Sequence, residues 1–352
     1  MNTLQTPLAL ALLAAFSTLA CAQETPQRQI GTVIIEGSRP TSLPSQIPTT
    51  FEGITHADID RNINATDAED ALKYMPSLLV RKRYIGDYNH AVLSTRASGT
   101  GNSARSMVYG DGILLSNYLG NGATFAPRWG MVSPELIERV DVLYGPFSAA
   151  YGGNSVGAVV DYVTRMPSRF ELHAKLTMTH QPFQLYRTDG SYQGKLGSLS
   201  VGDRQGSWSW LVDYSHTDSD GQPLTFPNKA VSSTLAGKNA TVVTGAIAGL
   251  DRSNKPWQLL GTATQYHTIQ DQFKAKLAYD INPTLRASYT FGLWHNSSEG
   301  RPDSYLRDSS GNPVYSGSVS IDGRGYTLSN TDFNLSNEKL QHVMHGVSLK
   351  SH

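Results

Sequence analysis

Cysteine is almost missing from this 352-residue chain: Cys21 stands alone, so neither a disulfide framework nor a thiolate metal site can be assembled. Charge is also scarce. Only 16% of residues are charged and 29 basic side chains balance 29 acidic ones, which leaves no net field to draw nucleic acid or an anionic surface. No nucleic-acid partner is expected. Long hydrophobic runs are missing too. The apolar stretch Leu8–Ala22 is too short for a membrane helix and reads as the core of a signal peptide covering residues 1–22. Ala20-Cys21-Ala22 supplies the cleavage site, with a lipid anchor on Cys21 as the alternative. What is abundant instead is Gly, Ser, Thr, Asn and Tyr, a composition that favours β-structure with many turns.

Residues 23–50 are polar and punctuated by Pro26, Pro40, Pro44 and Pro48, as expected of an extended tether. Two short helices should follow. Thr55 caps the first, with Asp58 at its third position and Ile54 and Ile59 as a hydrophobic staple. Thr66 and Glu69 form the capping box of the second, whose residues Ala68, Ala71, Leu72 and Met75 share one face and which Pro76 ends. Strands are expected at Leu78–Val80, Ala91–Arg96, Met107–Tyr109 and Ile113–Leu115, with a Gly110-Asp111-Gly112 hairpin turn. Ser133 then caps a turn with Pro134 at its first position. The whole reads as a small α+β domain over residues 51–167.

Beyond Pro167 the pattern changes to strict alternation. Leu172, Ala174, Leu176 and Met178 share one strand face, as do Trp208, Trp210, Val212 and Tyr214. Phe273–Tyr279 and Leu285–Leu293 repeat the pattern, and strands at Gly194–Val201 and Val343–Leu349 follow it less cleanly. Antiparallel strands of about ten residues, apolar on one face only, suit a transmembrane β-barrel. Connection lengths agree: Gly202–Gly206 and Asp280–Pro283 are tight, whereas Ser219–Thr264 and Glu299–Glu338 are long. With the first strand rising from the periplasm, both tight turns fall inside and both long loops outside.

One segment is the most specific. Ile137–Arg165 runs from a strand at Val140 and Val142 through Gly145-Pro146, a set of small residues, Tyr151-Gly152-Gly153 and Gly157 into a second valine-rich strand. Its order resembles the plug signature of TonB-dependent outer-membrane receptors. The resemblance extends from Gly31 onward. Asp70–Pro76 is similar to a helix-end motif that the family closes with glycine, where this chain has Ser77. Arg96 aligns with an Arg-Gly pair whose glycine is Ala97 here, and Asp111-Gly112 with an Asp-Gly turn. Glu138, Arg139, Gly145, Pro146, Tyr151, Gly152 and Gly157 complete the plug motif, with Tyr144 where arginine is commoner. Thr32, Val33, Ile34, Ile35, Glu36 and Gly37 resemble the TonB box, a segment that pairs its backbone with a partner strand. The other reading of that segment is the first strand of the plug sheet.

The resemblance implies a plug seated in a barrel, in the outer membrane of a Gram-negative bacterium, and active uptake of a scarce ligand. It implies TonB with ExbB–ExbD as partners and outer-membrane lipid as surroundings. It implies no catalytic residue and no cofactor of the protein's own. A ferric siderophore is the expected cargo, with cobalamin, haem, copper and oligosaccharide as alternatives. A passive porin and a soluble periplasmic binding or enzymatic domain are the two rival classes. Two loops are the ligand candidates: Arg83–His90 with Tyr84, Tyr88 and His90, and Ser116–Gly130 with Tyr118, Phe125, Arg128 and Trp129. Such aromatics and cations suit a flat, anionic chelate; packing against the barrel wall is the alternative role. The family's barrel has about twenty-two strands and only about six are expected here, so the barrel is incomplete. The chain is expected to be a truncated product that would not transport as it stands.

Three further patterns carry no chemistry. Gly153-Asn-Ser155-Val-Gly157 matches a nucleophile elbow but leads into a strand rather than a helix. Gly99-x-Gly101-x-x-Ala104 has no helix after it. His342 and His345 should point to opposite strand faces, so they cannot share a metal.

Overall fold

The computed structural model describes residues 50–101, 103–122, 124–145 and 151–351. The leader, the tether up to residue 49, the Thr32–Gly37 segment and Pro146 lie outside the described residues.

The N-terminal region holds β1 (Phe51–Thr55), helix α1 (His56–Asn62), β2 (Leu78–Val80), β3 (Leu93–Thr95), β4 (Met107–Gly110), β5 (Ile113–Leu114), β6 (Ile137–Tyr144) and β7 (Ala158–Thr164). Five of the strands form one sheet in the order β1-β6-β7-β4-β5, and β2 pairs with β3 apart from it. The valine-rich runs of β6 and β7 are central and covered on both faces, so Val140, Val142, Val159 and Val160 are fully buried. Ile59, Ala68, Ala71, Leu72 and Met75 pack against this sheet in one continuous core. The same core takes in Trp294 and Met344 from the second half of the chain.

Thr55 caps α1 as its sequence suggests, exchanging hydrogen bonds with Asp58. The second expected helix differs. It is a 3-10 turn over Ala68–Leu72, capped by Asp67 with Asp70 at the third position, not by Thr66 with Glu69. Thr66 donates to Asp70 instead, because the tighter helix moves the acceptor position one residue along. Glu69 is turned into the core. Ser77, in place of the resembling family's glycine, adopts φ 62°, a left-handed conformation that disfavours any side chain. Ala97 is not among the positive-φ residues, so its methyl group carries no such strain.

The second half is a six-stranded antiparallel sheet. Its strands are β8 (Glu171–Leu185), β9 (Thr188–Gln205), β10 (Trp208–Asp220), β15 (Tyr266–Asn282), β16 (Leu285–Gly300) and β19 (Asn337–Ser351), paired in that order. Between β10 and β15 lie β11 (Asn228–Ala230), β12 (Thr241–Val242), β13 (Ile247–Leu250) and β14 (Pro256–Leu259). Between β16 and β19 lie β17 (Gly317–Ile321), β18 (Arg324–Leu328) and helix α2 (Asn330–Phe333). The six long strands have 13 to 18 residues, more than the ten expected, because tilted strands extend beyond the lipid on the outer side. At the inner end Gly202–Gln205 also continues β9, and the turn is Gly206-Ser207.

The two faces of this wall are inverted relative to a water-soluble sheet. Trp208, Tyr214, Leu277, Tyr289, Val343, Val347 and Leu349 are exposed, whereas Ser209, Asp213, Thr268 and Lys274 are fully buried on the other face. Trp208 to Tyr214 alone spans about 20 Å of strand, and Trp208 packs against Tyr279 at 4.6 Å between rings. An apolar band with aromatic edges facing outward and polar side chains inward is the arrangement that lipid requires.

The two long connections are not loose. β12 of the first pairs in parallel with β17 of the second. Val243, Leu260, Leu306, Val319, Ile321, Tyr326, Leu328 and Phe333 form a second core drawn from both connections. They make a small folded cap.

Candidate functional site between the N-terminal body and the wall

The N-terminal body lies against the polar face of the wall, and the seam between them is where the sequence motifs meet. Asp111 and Gly112 form a two-residue turn between β4 and β5, with φ 53° and 80°. Both being positive fits the hairpin turn that Asp-Gly favours. The turn aims the Asp111 carboxylate at the end of β7, where it accepts from the Thr164 amide at 2.8 Å and hydroxyl at 2.6 Å. From the wall, Lys276 Nζ donates to the Thr164 carbonyl at 3.0 Å and hydroxyl oxygen at 2.7 Å. It lies 3.4 Å from Asp111. Burial alone would raise the Asp111 carboxyl; Lys276 and Lys274 outweigh it and hold it below the ordinary carboxylate range. Elsewhere along the seam Lys175 reaches Glu135 at 2.8 Å, and Gln270 donates to the Gly86 carbonyl at 2.9 Å.

The Arg83–His90 loop sits against the outer ends of the wall strands. Arg83 is held in a two-point contact by Asp87, at 2.8 and 3.0 Å, so its charge is satisfied within the loop. Tyr84 lies 5.5 Å from the Tyr266 ring, and the Tyr88 hydroxyl donates to Glu338. His90 is pushed down from its ordinary value by burial and then by Arg83. In the second loop, Trp129 is buried, its indole N–H donating to the Ala91 carbonyl at 2.6 Å and its ring edge-on to Tyr162. Tyr118 donates to the Ser106 carbonyl, and Phe125 packs over Gly120.

The structure therefore brings together only part of the predicted set. Tyr88, Arg128 and Trp129 line a cavity of about 60 Å³ with Trp294 and His342 of the wall. Tyr84 lines a larger one, of about 620 Å³, with Lys82, Arg83, His180 and Tyr192. Tyr118 and Phe125 line neither. The wall residues Tyr192, Tyr266, Trp294 and His342 were missed; their inward position near the outer strand ends was the available signal. His342 stacks on Trp294 inside, while His345 meets Tyr289 outside, on opposite faces as expected.

Beneath the larger cavity, Lys82 is bound by Thr66, Asp67 and Asp70. Burial pushes Lys82 down, but the surrounding carboxylates raise it above its ordinary value overall. Glu69 is buried beside them with one carboxyl oxygen lacking a partner among the described residues. Burial, then Asp67, pushes its carboxyl well above the usual range.

The remaining motif residues are architectural. Arg139 pairs with Asp141 at 3.0 Å, and Tyr144 donates to Glu52. Gly145, at φ 107°, donates to the Gly157 carbonyl. At Gly157 a Cβ would collide with Thr95 and Ser106. Tyr151 lies 6.3 Å from Tyr109, whereas a Cβ at Gly152 would find open space and Glu138 is exposed. Arg96 donates its amide to the Ser77 carbonyl. Ser155 is buried with its hydroxyl on the Gly152 carbonyl, and β7 rather than a helix follows it.

Residues 44–159 match the TonB-dependent receptor plug domain. Over these residues the chain carries the plug domain of TonB-dependent receptors. A vitamin B12 transporter, BtuB, of Vibrio vulnificus is 27% identical over 142 residues, 40% of this chain and 22% of the relative. A protein named "Probable TonB-dependent siderophore receptor PirA", of Acinetobacter baumannii, is 25% identical over 253 residues, 67% of this chain and 33% of the relative. A ferric enterobactin receptor (PfeA) variant of Pseudomonas aeruginosa aligns with a TM-score of 0.49 and 15% identity, covering 86% of this chain and 38% of that one. The chain thus spans between about a fifth and a third of the curated relatives it matches. The plug match and these relatives place it in the outer membrane of a Gram-negative bacterium. Its N-terminal body is the plug, and the six-stranded sheet is part of the barrel wall.

Proposed function

We propose that this receptor takes up a scarce ligand across the outer membrane, and that the ligand is a ferric siderophore. TonB, driven by ExbB–ExbD, pairs with the Thr32–Gly37 segment and pulls on the plug. The observation that carries this reading is the contrast between two interfaces. The plug is held together by an apolar core that reaches the wall at Trp294 and Met344, and along the rest of the seam it meets the wall through hydrogen bonds and ion pairs such as Lys276–Thr164 and Lys175–Glu135. Polar contacts can exchange for water at little net cost, whereas apolar cores cannot. Pulling thus shifts the plug against the wall before it dismantles either one.

The siderophore cargo is supported by the relative named as a siderophore receptor, whose similarity extends across plug and wall. Cobalamin is the second reading, drawn from the transporter of that vitamin matching over 142 residues. Uptake of iron-55 as ferric enterobactin, or of cobalt-57 cobalamin, by cells making the receptor with and without TonB separates the readings. Iron accumulation that needs both TonB and an energised membrane supports the first. Equal accumulation without TonB would mean a passive pore and refute both.

A further inference from the structure

Asp213 and Lys274 face one another in register on β10 and β15, on the inner face of the wall and fully buried. Neither carboxylate oxygen of Asp213, nor Lys274 Nζ, has a hydrogen-bond partner among the described residues. The carboxylate within ion-pair reach of Lys274 belongs instead to the plug: Asp111 Oδ2, at 3.8 Å. Lys276, on the same face two residues along, shares that oxygen and holds Thr164. With the plug seated, Asp111 serves both ammonium groups while Asp213 stands beside them without a hydrogen bond. Withdrawing the plug removes Asp111. Two inward lysines, two residues apart on one strand face, would then stand together without that carboxylate, and like charges so close repel. Asp213 is the wall's own answer to that, already opposite Lys274 and uncommitted.

We propose that Lys274 is a transferable counter-ion, serving Asp111 while the plug is seated and Asp213 once the plug has moved. Asp111 stabilises the seated state; Asp213 stabilises the withdrawn one and burdens the seated one with an idle charge. Asp213 is therefore a positioning residue for plug release. This rests on the transport reading only in requiring that the plug be drawn from the wall.

The opposite assignments give opposite signs, which a merely structural role would not. The test pulls single receptors in a supported bilayer by their N-terminal segment and reads the lifetime of the seated plug at constant force. Asp111→Asn should shorten it about tenfold, the rate equivalent of about 1.4 kcal/mol. Asp213→Asn should lengthen it by about threefold or more, and Asp213→Glu should restore the original lifetime. In a Lys274→Met background, Asp213→Asn should no longer lengthen it. Asp213→Ser, predicted to act in the same direction, serves if the asparagine variant does not fold. A shortened or unchanged lifetime in the Asp213 variants, or lengthening that persists without Lys274, overturns the proposal. Because no cargo or energised membrane is involved, opposite shifts without uptake would refute only the transport reading. Uptake with like-signed shifts would refute only the transferable ion.

Discussion

The plug and the wall solve the same problem with opposite faces. In the plug, Val140, Val160 and Tyr162 are inside, because water surrounds the body and burying apolar area is what stabilises it. In the wall, Trp208, Leu277 and Val347 are outside, and Asp213, Lys274 and Thr268 inside, because the outer solvent is lipid. Apart from Trp294 and Met344, which join the plug's core, the two bodies meet through polar side chains and gain little hydrophobic energy there. Specific, breakable bonds set how they join.

The comparison is most directly broken by paired substitutions. Tyr162→Ala removes a fully buried ring and its hydrogen bond to the Ala68 carbonyl, and should destabilise the plug by about 3–5 kcal/mol. Urea titration followed by Trp129 fluorescence should show this, with barrel heat-resistance on gels unchanged. Val347→Arg, on the exposed face of β19, should do the reverse. It should cost the wall about 2–4 kcal/mol in bilayer folding experiments and leave the plug titration where it was. Equal effects of either change on both bodies would dissolve the distinction.

Glu69 sharpens the comparison through pH. Its folded value lies above the ordinary 4.5, so its contribution is complete below 4.5 and is lost as pH rises through the folded value. Asp70, held below 3.8 by Lys82 against the opposing effect of burial, works the other way and loses its contribution as pH falls. Glu69→Gln should therefore raise plug stability at pH above the folded value and flatten its dependence on pH, as read from urea midpoints between pH 4 and 8. A steeper profile would contradict the burial of a neutral acid there. The smallest effect belongs to Ser77→Gly. Relief of a left-handed side-chain conformation should exceed the entropy cost of glycine by about 0.5 kcal/mol, visible as a small rise in the plug midpoint.

How much of this was legible follows from the range of each interaction. The wall could be read because alternation repeats within a single strand, as from Trp208 to Tyr214, and loop lengths report which end is outside. The Thr55–Asp58 cap and the Asp111-Gly112 turn are equally local. The Asp67–Asp70 cap was misplaced by one residue because a 3-10 turn and an α-helix begin alike. The Asp111–Lys274–Lys276 cluster joins positions far apart in the chain, and no pattern near either end announces the partner. Among the ligand candidates, aromatic composition alone did not separate Trp129, which fills the core, from Tyr84, which borders a cavity. The folding of the long connections was invisible, since strands as short as Thr241–Val242 carry no period.

That cap has an evolutionary corollary. Leu260 comes from one connection, while Leu306 and Phe333 come from the other, so neither segment can be exchanged between receptors without stranding greasy residues on its sister. Lineages that reshape this outer surface must inherit both pieces as a matched set, or rewrite both together.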